Sequence, residues 1–210
     1  MRALILVDLQ NDFMPKGALP IKDGDKIISA SNRLIVEGKF QIIVGTQDQH
    51  FLGHCSFASS HADKKVGDIV EVNGIKQMLW PLHCLAGEPG AAFHKDLLIG
   101  KVNLILRKGF KQNTDSYSGF RDNAKQTTGL AEYLKALGIT NTYIVGLALD
   151  YCVKYTALDS SDFGFKTHLV LDGCKAVNLS PDDGDKAVEE MKKTGIIIEK
   201  EADKLIKSWQ

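Results

Sequence analysis

The sequence lacks the features that would tie it to a membrane, a nucleic acid or an oxidising compartment. Its 210 residues carry 26 basic and 26 acidic side chains, and like charges never run beyond pairs. Neither an anionic polymer nor a lipid surface therefore finds electrostatic support. The longest apolar stretch, Tyr143–Leu149 with its one glycine, falls far short of a membrane span. The N-terminal run Ala3–Val7 stops at Asp8 without the layout of an export signal. The 4 cysteines, Cys55, Cys84, Cys152 and Cys174, form no Cys-x-x-Cys pair. Without an export signal, we expect reduced thiols rather than a disulfide framework. No repeat, low-complexity segment or linker is visible. We expect residues 1–210 to form a single domain of a soluble, cytoplasmic protein with no nucleic-acid or membrane partner.

What is present is an alternation of apolar runs with helical patterns. Ala3–Val7 reads as a strand buried on both faces, followed by a loop over Asn11–Gly24. Asp25 is a candidate N-cap for a helix carrying Ile27, Ile28, Leu34 and Ile35, with Gly38 as its stop. Gln41–Thr46 is the second strand. From there to about Gly100 the chain is irregular, with one weak strand candidate at Asp68–Val72. This excursion holds His50, His54, His61, His83 and His94 out of 6 histidines, and a loop region this long usually builds a site.

Asn103–Leu106 is the third core strand, and a helix over Thr128–Leu137 ends at Gly138. A strand then starts at Thr142 and turns at Gly146-Leu147-Ala148. It feeds a helix whose pattern starts after Asp150, with Val153, Ala157 and Ser160 on one face. Thr167–Leu171 is a further strand ending in Asp172-Gly173. Ser180-Pro181 is expected to open the last helix, Gly195 to close it, and Ile196–Ile198 to add a short strand. The expected fold is α/β, with three layers α/β/α around a central, mostly parallel sheet.

Ligands in such folds bind at the carboxyl ends of the strands. Asp8, Asp48, Lys108 and Cys152 each follow closely after a different expected strand, which would gather them on one edge. Cys152 falls in the first turn of a helix, where free N–H groups and the dipole favour a thiolate. Asp8 could take its proton, and Lys108 could hold Asp8 ionised. Asp150 works against a thiolate unless its charge is spent capping the helix. In Asp48-Gln49-His50, residues two apart point the same way in extended backbone, so both can reach one ion. His54 and His83 are candidate further ligands. Two histidines and a carboxylate suit one divalent metal ion, Zn²⁺, Fe²⁺ or Mn²⁺. Phe13, Trp80 and Tyr117 lie in loops and could wall a slot for a flat ring.

These residues belong to longer motifs. Val-Asp-Leu-Gln-Asn-Asp-Phe stands at 7–13, Thr-Gln-Asp-Gln-His at 46–50, His-Cys-Ser-Phe at 54–57 and Trp-Pro-Leu-His-Cys at 80–84. Arg-Lys-Gly follows at 107–109, Asp-Ser-Tyr-Ser-Gly-Phe at 115–120, and Gly-Leu-Ala-Leu-Asp-Tyr-Cys-Val at 146–153. In this order and spacing, and nearly end to end, the sequence resembles the isochorismatase-like cysteine hydrolases, and within them the nicotinamidase (pyrazinamidase) branch. The resemblance implies the isochorismatase-like hydrolase fold, Asp8, Lys108 and Cys152 as a catalytic triad, and Asp48, His50 and His83 as metal ligands, with His54 outside the set. It implies a cis peptide between Leu147 and Ala148, with the N–H groups of Ala148 and Cys152 as oxyanion donors. Phe13, Trp80, Tyr117 and Leu147 match positions around the ring of a nicotinamide substrate. The implied activity is metal-dependent deamidation of nicotinamide to nicotinate and ammonia in NAD salvage, with pyrazinamide as a second substrate. Two alternatives stay open. One is a sister hydrolase acting on another small amide or a vinyl ether. The other is a non-catalytic zinc protein built on His50, His54, Cys55, His83 and Cys84.

Overall fold

A computed structural model describes residues 1–209. Its centre is β1 (Arg2–Val7), whose residues Ala3 to Val7 are wholly buried. A strand covered on both faces must be apolar throughout, which is why this run shows no alternation. The remaining elements follow in chain order: α1 (Ile27–Glu37), β2 (Ile42–Asp48), β3 (Ile69–Val72), β4 (Ile75–Met78), β5 (Leu104–Lys108), α2 (Leu130–Ala136), β6 (Asn141–Leu147), α3 (Lys154–Asp162), β7 (Lys166–Lys175), α4 (Asp183–Lys193), β8 (Ile197–Glu199) and α5 (Ala202–Lys207).

Six strands form one sheet in the order β5-β2-β1-β6-β7-β8, and every neighbouring pair is parallel. Helices α1 and α5 pack together and α3 and α4 pack together, and both α1 and α3 lie against β7. The chain builds outward from β1 through β2 to β5, then crosses to the other side of β1 to lay down β6, β7 and β8. The sheet therefore reverses its direction of growth between β1 and β6, and a crevice opens at the carboxyl edge of such a reversal. Val7 is in register with Thr46 on one side and Gly146 on the other, and Asp48 with Lys108, so the strand ends come out level.

Several local expectations change. Asp48 and Lys108 are the last residues of their strands rather than residues beyond them. Asp25 does not cap α1, because the chain enters that helix through a 3-10 turn at Gly24–Lys26 that contains it. β7 runs on through Asp172-Gly173 to Lys175. A register shift between Ile144 and Gly146 carries it past, and at Gly173 a Cβ would stand 2.6 Å from Val145 Cγ1. Ser180-Pro181 lie in the turn before α4, which has Asp182 at its N-cap position, and α4 is not the last helix.

The excursion contains an antiparallel hairpin, β3–β4, joined by Asn73-Gly74 with φ of 51° and 79°. Two central turn residues at positive φ match the right-handed twist of the flanking strands, and Asn-Gly is the sequence signal for that turn.

Gly146 lies where β6 meets the end of β1. Its φ is +133°, and a Cβ there would stand 2.0 Å from the Val7 carbonyl oxygen. Gly146→Ala is expected to destabilise the fold by about 2–6 kcal/mol, combining backbone strain with overpacking. A urea midpoint unchanged from the native protein would refute this.

Candidate active site

Asp8 directly follows β1, fully buried, in the left-handed region at φ 50°. Aspartate is one of the few residues that tolerates this conformation, and it turns the side chain back over the sheet edge. Thr46, opposite on β2, fixes it: the hydroxyl donates to Asp8 Oδ1 at 2.6 Å and accepts the Asp8 N–H at 3.2 Å. Asp8 Oδ2 pairs with Lys108 Nζ at 2.9 Å but receives no well-directed hydrogen bond, leaving it free to accept a proton.

Lys108 joins the parts of the site. Its ammonium is 3.1 Å from Asp48 Oδ1, 3.5 Å from Cys152 Sγ, and donates to the Ser116 carbonyl at 2.9 Å. Burial by itself would lower its proton affinity, but Asp48 and Asp8 outweigh that and hold it well above the usual lysine range. It is a permanent cation between two carboxylates and a sulfur.

Cys152 lies in the helical turn Leu149–Val153, which leads from β6 into α3 after a cis peptide at Leu147-Ala148. Burial raises its thiol well above the ordinary value; Lys108 lowers it, while the charges of Asp8 and Asp48 raise it further. Desolvation and two carboxylates thus favour the thiol and oppose the expected helix-start preference for a thiolate, with Lys108 pulling the other way. Asp150 does not cap this helix; its two oxygens accept the N–H groups of Val177 and Asn178, both at 2.9 Å. Burial likewise raises Asp8 above the usual carboxylate range even with Lys108 beside it, which makes it a stronger base for the thiol proton.

The second half of the site comes from the excursion. His50 exchanges backbone hydrogen bonds with Cys84 and Ala86, and Trp80 with Ser56 and Ala58, so His83 is carried back to His50. His50 Nε2 is 3.0 Å and His83 Nε2 3.6 Å from Asp48 Oδ2. His50 Nδ1 donates to the Gly109 carbonyl at 2.7 Å and His83 Nδ1 to the Pro81 carbonyl at 2.8 Å. With both Nδ1 protons fixed, both Nε2 atoms point at the carboxylate, so this corner needs positive charge: a proton on an imidazole, or an ion that all three would hold through their lone pairs. The pull is strong enough to raise His50 to about 9 against its burial. Burial would raise Asp48, but His50 and Lys108 hold it well below the carboxylate range. This donor set fits a divalent ion with open positions.

His54 groups with His50 and Asp115 instead; its Nδ1 meets Ser56 Oγ at 2.8 Å and its buried Nε2 has no partner. Cys55 and Cys84 join no ligand group among the described residues. A closed structural zinc site thus lacks its thiolates.

A cavity over Cys152 is lined by Phe13, Trp80, Tyr117 and Ala148, with Asp48, His83 and Asp115 at one end and Leu19, Tyr151 and Val177 completing the wall. Leu147 is not among them. It is fully buried, with Cδ1 placed toward Gly24. Its neighbour Ala148, on the far side of the cis peptide, lines the cavity.

Sequence reasoning assigns no role to Gln10. Its amide donates to the Asp48 and Ala91 carbonyls at 2.8 and 2.9 Å and accepts the Asp48 N–H at 2.7 Å, clamping the backbone of the metal-site carboxylate. Nothing in the polar stretch Asp8–Asp12, where Asn11 stands beside it, singles it out in the sequence.

Comparison with known proteins identifies the family of the chain. The isochorismatase domain family matches residues 2–202. A nicotinamidase of Acinetobacter baylyi is 45% identical over 179 residues, covering 85% of this chain and 83% of that protein. The solved nicotinamidase/pyrazinamidase of Acinetobacter baumanii superposes with a TM-score of 0.92 at 41% identity, covering 97% of each chain. A pyrazinamidase of Pyrococcus horikoshii, solved in complex with zinc, gives a TM-score of 0.77 at 39% identity over 94% of this chain and 97% of that one. With its parallel six-stranded sheet and a family match over nearly its whole length, the chain belongs to the isochorismatase-domain hydrolases.

Proposed function

We propose that this chain is a nicotinamidase, a cysteine amidohydrolase that converts nicotinamide to nicotinate and ammonia and also accepts pyrazinamide. The observation that carries the reading is the single ammonium of Lys108 in contact with Asp8, Asp48 and Cys152. The names of the similar proteins support the same substrate class. The product acid would return the pyridine ring to NAD synthesis. Paired histidines and aromatic walls beside the nucleophile favour a ring amide over a vinyl ether.

In the proposed reaction the ring lies between Phe13, Trp80 and Tyr117 with its amide carbonyl over Cys152 Sγ. Asp8 Oδ2 takes the thiol proton as sulfur attacks the carbonyl carbon, so no free thiolate has to persist. The N–H groups of Ala148 and Cys152 receive the developing oxyanion; one such donor is worth about 2.7–4 kcal/mol in other enzymes. Asp8 returns the proton to the departing nitrogen, the C–N bond breaks, ammonia leaves and a thioester remains. Water then attacks the thioester carbon, Asp8 takes a proton from it, the C–S bond breaks and the sulfur regains its proton. Lys108 keeps its charge throughout and offsets the negative charge passing between Asp8 and Cys152. A divalent ion held by Asp48, His50 and His83 would supply orientation, binding the ring nitrogen.

Two results are expected. Chelation should abolish ammonia release from nicotinamide, and added Zn²⁺, Fe²⁺ or Mn²⁺ should restore it, with far-UV circular dichroism unchanged throughout; unfolding on chelation would instead favour a structural metal. The pH profile of kcat/KM should show an acid limb above the ordinary aspartate value of 3.8. Only ionised Asp8 accepts the thiol proton, and burial raises its pKa, so activity is lost as pH falls through that raised value. Full activity persisting below pH 3.8 would exclude Asp8 as the base.

A further inference from the structure

Gln77 is buried on β4, on a hairpin whose other polar side chains, Glu71, Asn73 and Lys76, face solvent. Its side-chain nitrogen lies 2.8 Å from the Met78 carbonyl oxygen, 3.0 Å from Asp115 Oδ2 and 3.4 Å from Tyr117 Oη. A carbonyl and a carboxylate can only accept, so the amide must present its nitrogen to them. Asp115 is itself buried, and its other oxygen accepts the Ser116 N–H at 2.8 Å. The Tyr117 hydroxyl also accepts the Trp80 indole N–H, at 3.1 Å. Asp115, Tyr117 and Trp80 all line the cavity over Cys152, whereas Gln77 does not. One amide outside the cavity thus reaches Asp115 and Tyr117 directly, and Trp80 through the Tyr117 hydroxyl.

We propose that Gln77 is a positioning residue for the ring-binding slot, fixing the Asp115 carboxylate and the Tyr117–Trp80 wall from behind. This rests on the amidase reading above and extends it to a residue that touches neither ring nor nucleophile. Without that N–H donor, the buried Asp115 carboxylate loses a hydrogen bond and turns toward another donor, and the wall it shares with Tyr117 shifts. The attack geometry at Cys152 is set mainly by β1, β5 and the helix start, and shares with this loop only the Ser116 carbonyl that Lys108 donates to. The effect therefore falls on substrate binding.

The test is steady-state ammonia release from nicotinamide by the metal-loaded native, Gln77→Met and Gln77→Glu proteins, with thermal unfolding of each. A native protein that releases no ammonia sinks the amidase reading and this inference with it. With an active native protein, Gln77→Met should raise KM about tenfold, equivalent to about 1.4 kcal/mol, while kcat changes far less. Gln77→Glu sets one carboxylate against another. Its KM should rise at least as far as that of Gln77→Met, again with far less change in kcat. A native KM in either variant, or a loss confined to kcat, would overturn the proposal. Loss of fold in both variants would overturn it too, by assigning Gln77 to stability alone.

Discussion

Cys152→Ala is expected to fold normally and to lose nicotinamide turnover by about 10⁴-fold or more, the scale seen when a covalent nucleophile is removed elsewhere. The geometry allows so clean a separation. The side chain is buried beside Lys108 and Asp8, but the ammonium keeps both of its carboxylate partners when the sulfur goes. No charge is stranded, and the small void should lower stability by only about 1 kcal/mol. Metal content should be unchanged, because Asp48, His50 and His83 gather around one another rather than around the sulfur. A Cys152→Ala protein that releases ammonia at the native rate would end the covalent mechanism, whatever the family.

Lys108→Met should be damaging in a different way. The substitution nearly keeps the volume of a side chain that is 1% exposed and removes the charge between Asp8 and Asp48. Two buried carboxylates then face each other without their cation, and breaking a buried pair on one side typically costs about 3–5 kcal/mol. Asp8 already holds its proton more tightly than a free aspartate; without Lys108 it holds it more tightly still. A folded state that binds protons the unfolded chain releases is favoured by acid, so the instability should be greatest at neutral pH and shrink as pH falls. Activity should vanish with it, since a protonated Asp8 cannot act as a base. Chemical denaturation at two pH values separates this from Cys152→Ala, for which no such dependence is expected. Equal instability of Lys108→Met at both pH values would show that the ammonium is not what compensates the carboxylates.

The residues at stake in these two variants also show what the sequence makes legible. Asp8, Asp48 and Lys108 can be read because each falls within two residues of the end of an expected strand, and the carboxyl ends of parallel strands form the ligand edge. The strand order and the crossing from one side of β1 to the other cannot, since nothing local records which strand pairs with which. The wall residues Leu19, Tyr151 and Val177 come from loops and a helix start, where burial follows no period. Leu147 illustrates the finer limit: the turn is evident, but which of two adjacent residues faces the cavity depends on how β6 meets the crevice. Hairpin β3–β4 is only half visible although Asn73-Gly74 announces it, because its strands are too exposed to show an apolar face. Helix α5 escapes the sequence reading although Ala202, Leu205 and Ile206 are spaced as a helix face and are buried together.

Gly109 carries a consequence for how such a site can diverge. It directly follows Lys108, sits at φ +70°, and gives its carbonyl to the His50 ring; a β-carbon there would come within 2.6 Å of His50 Cε1 and 2.7 Å of Asp48 Oδ1. One dipeptide thus presents the cation to the nucleophile's half and the anchor to the ion's half. Neither half can be redesigned alone: a descendant that abandons the metal gains no freedom at position 109 while His50 remains, and a graft of the histidine loop onto a relative must bring the end of β5 along with it.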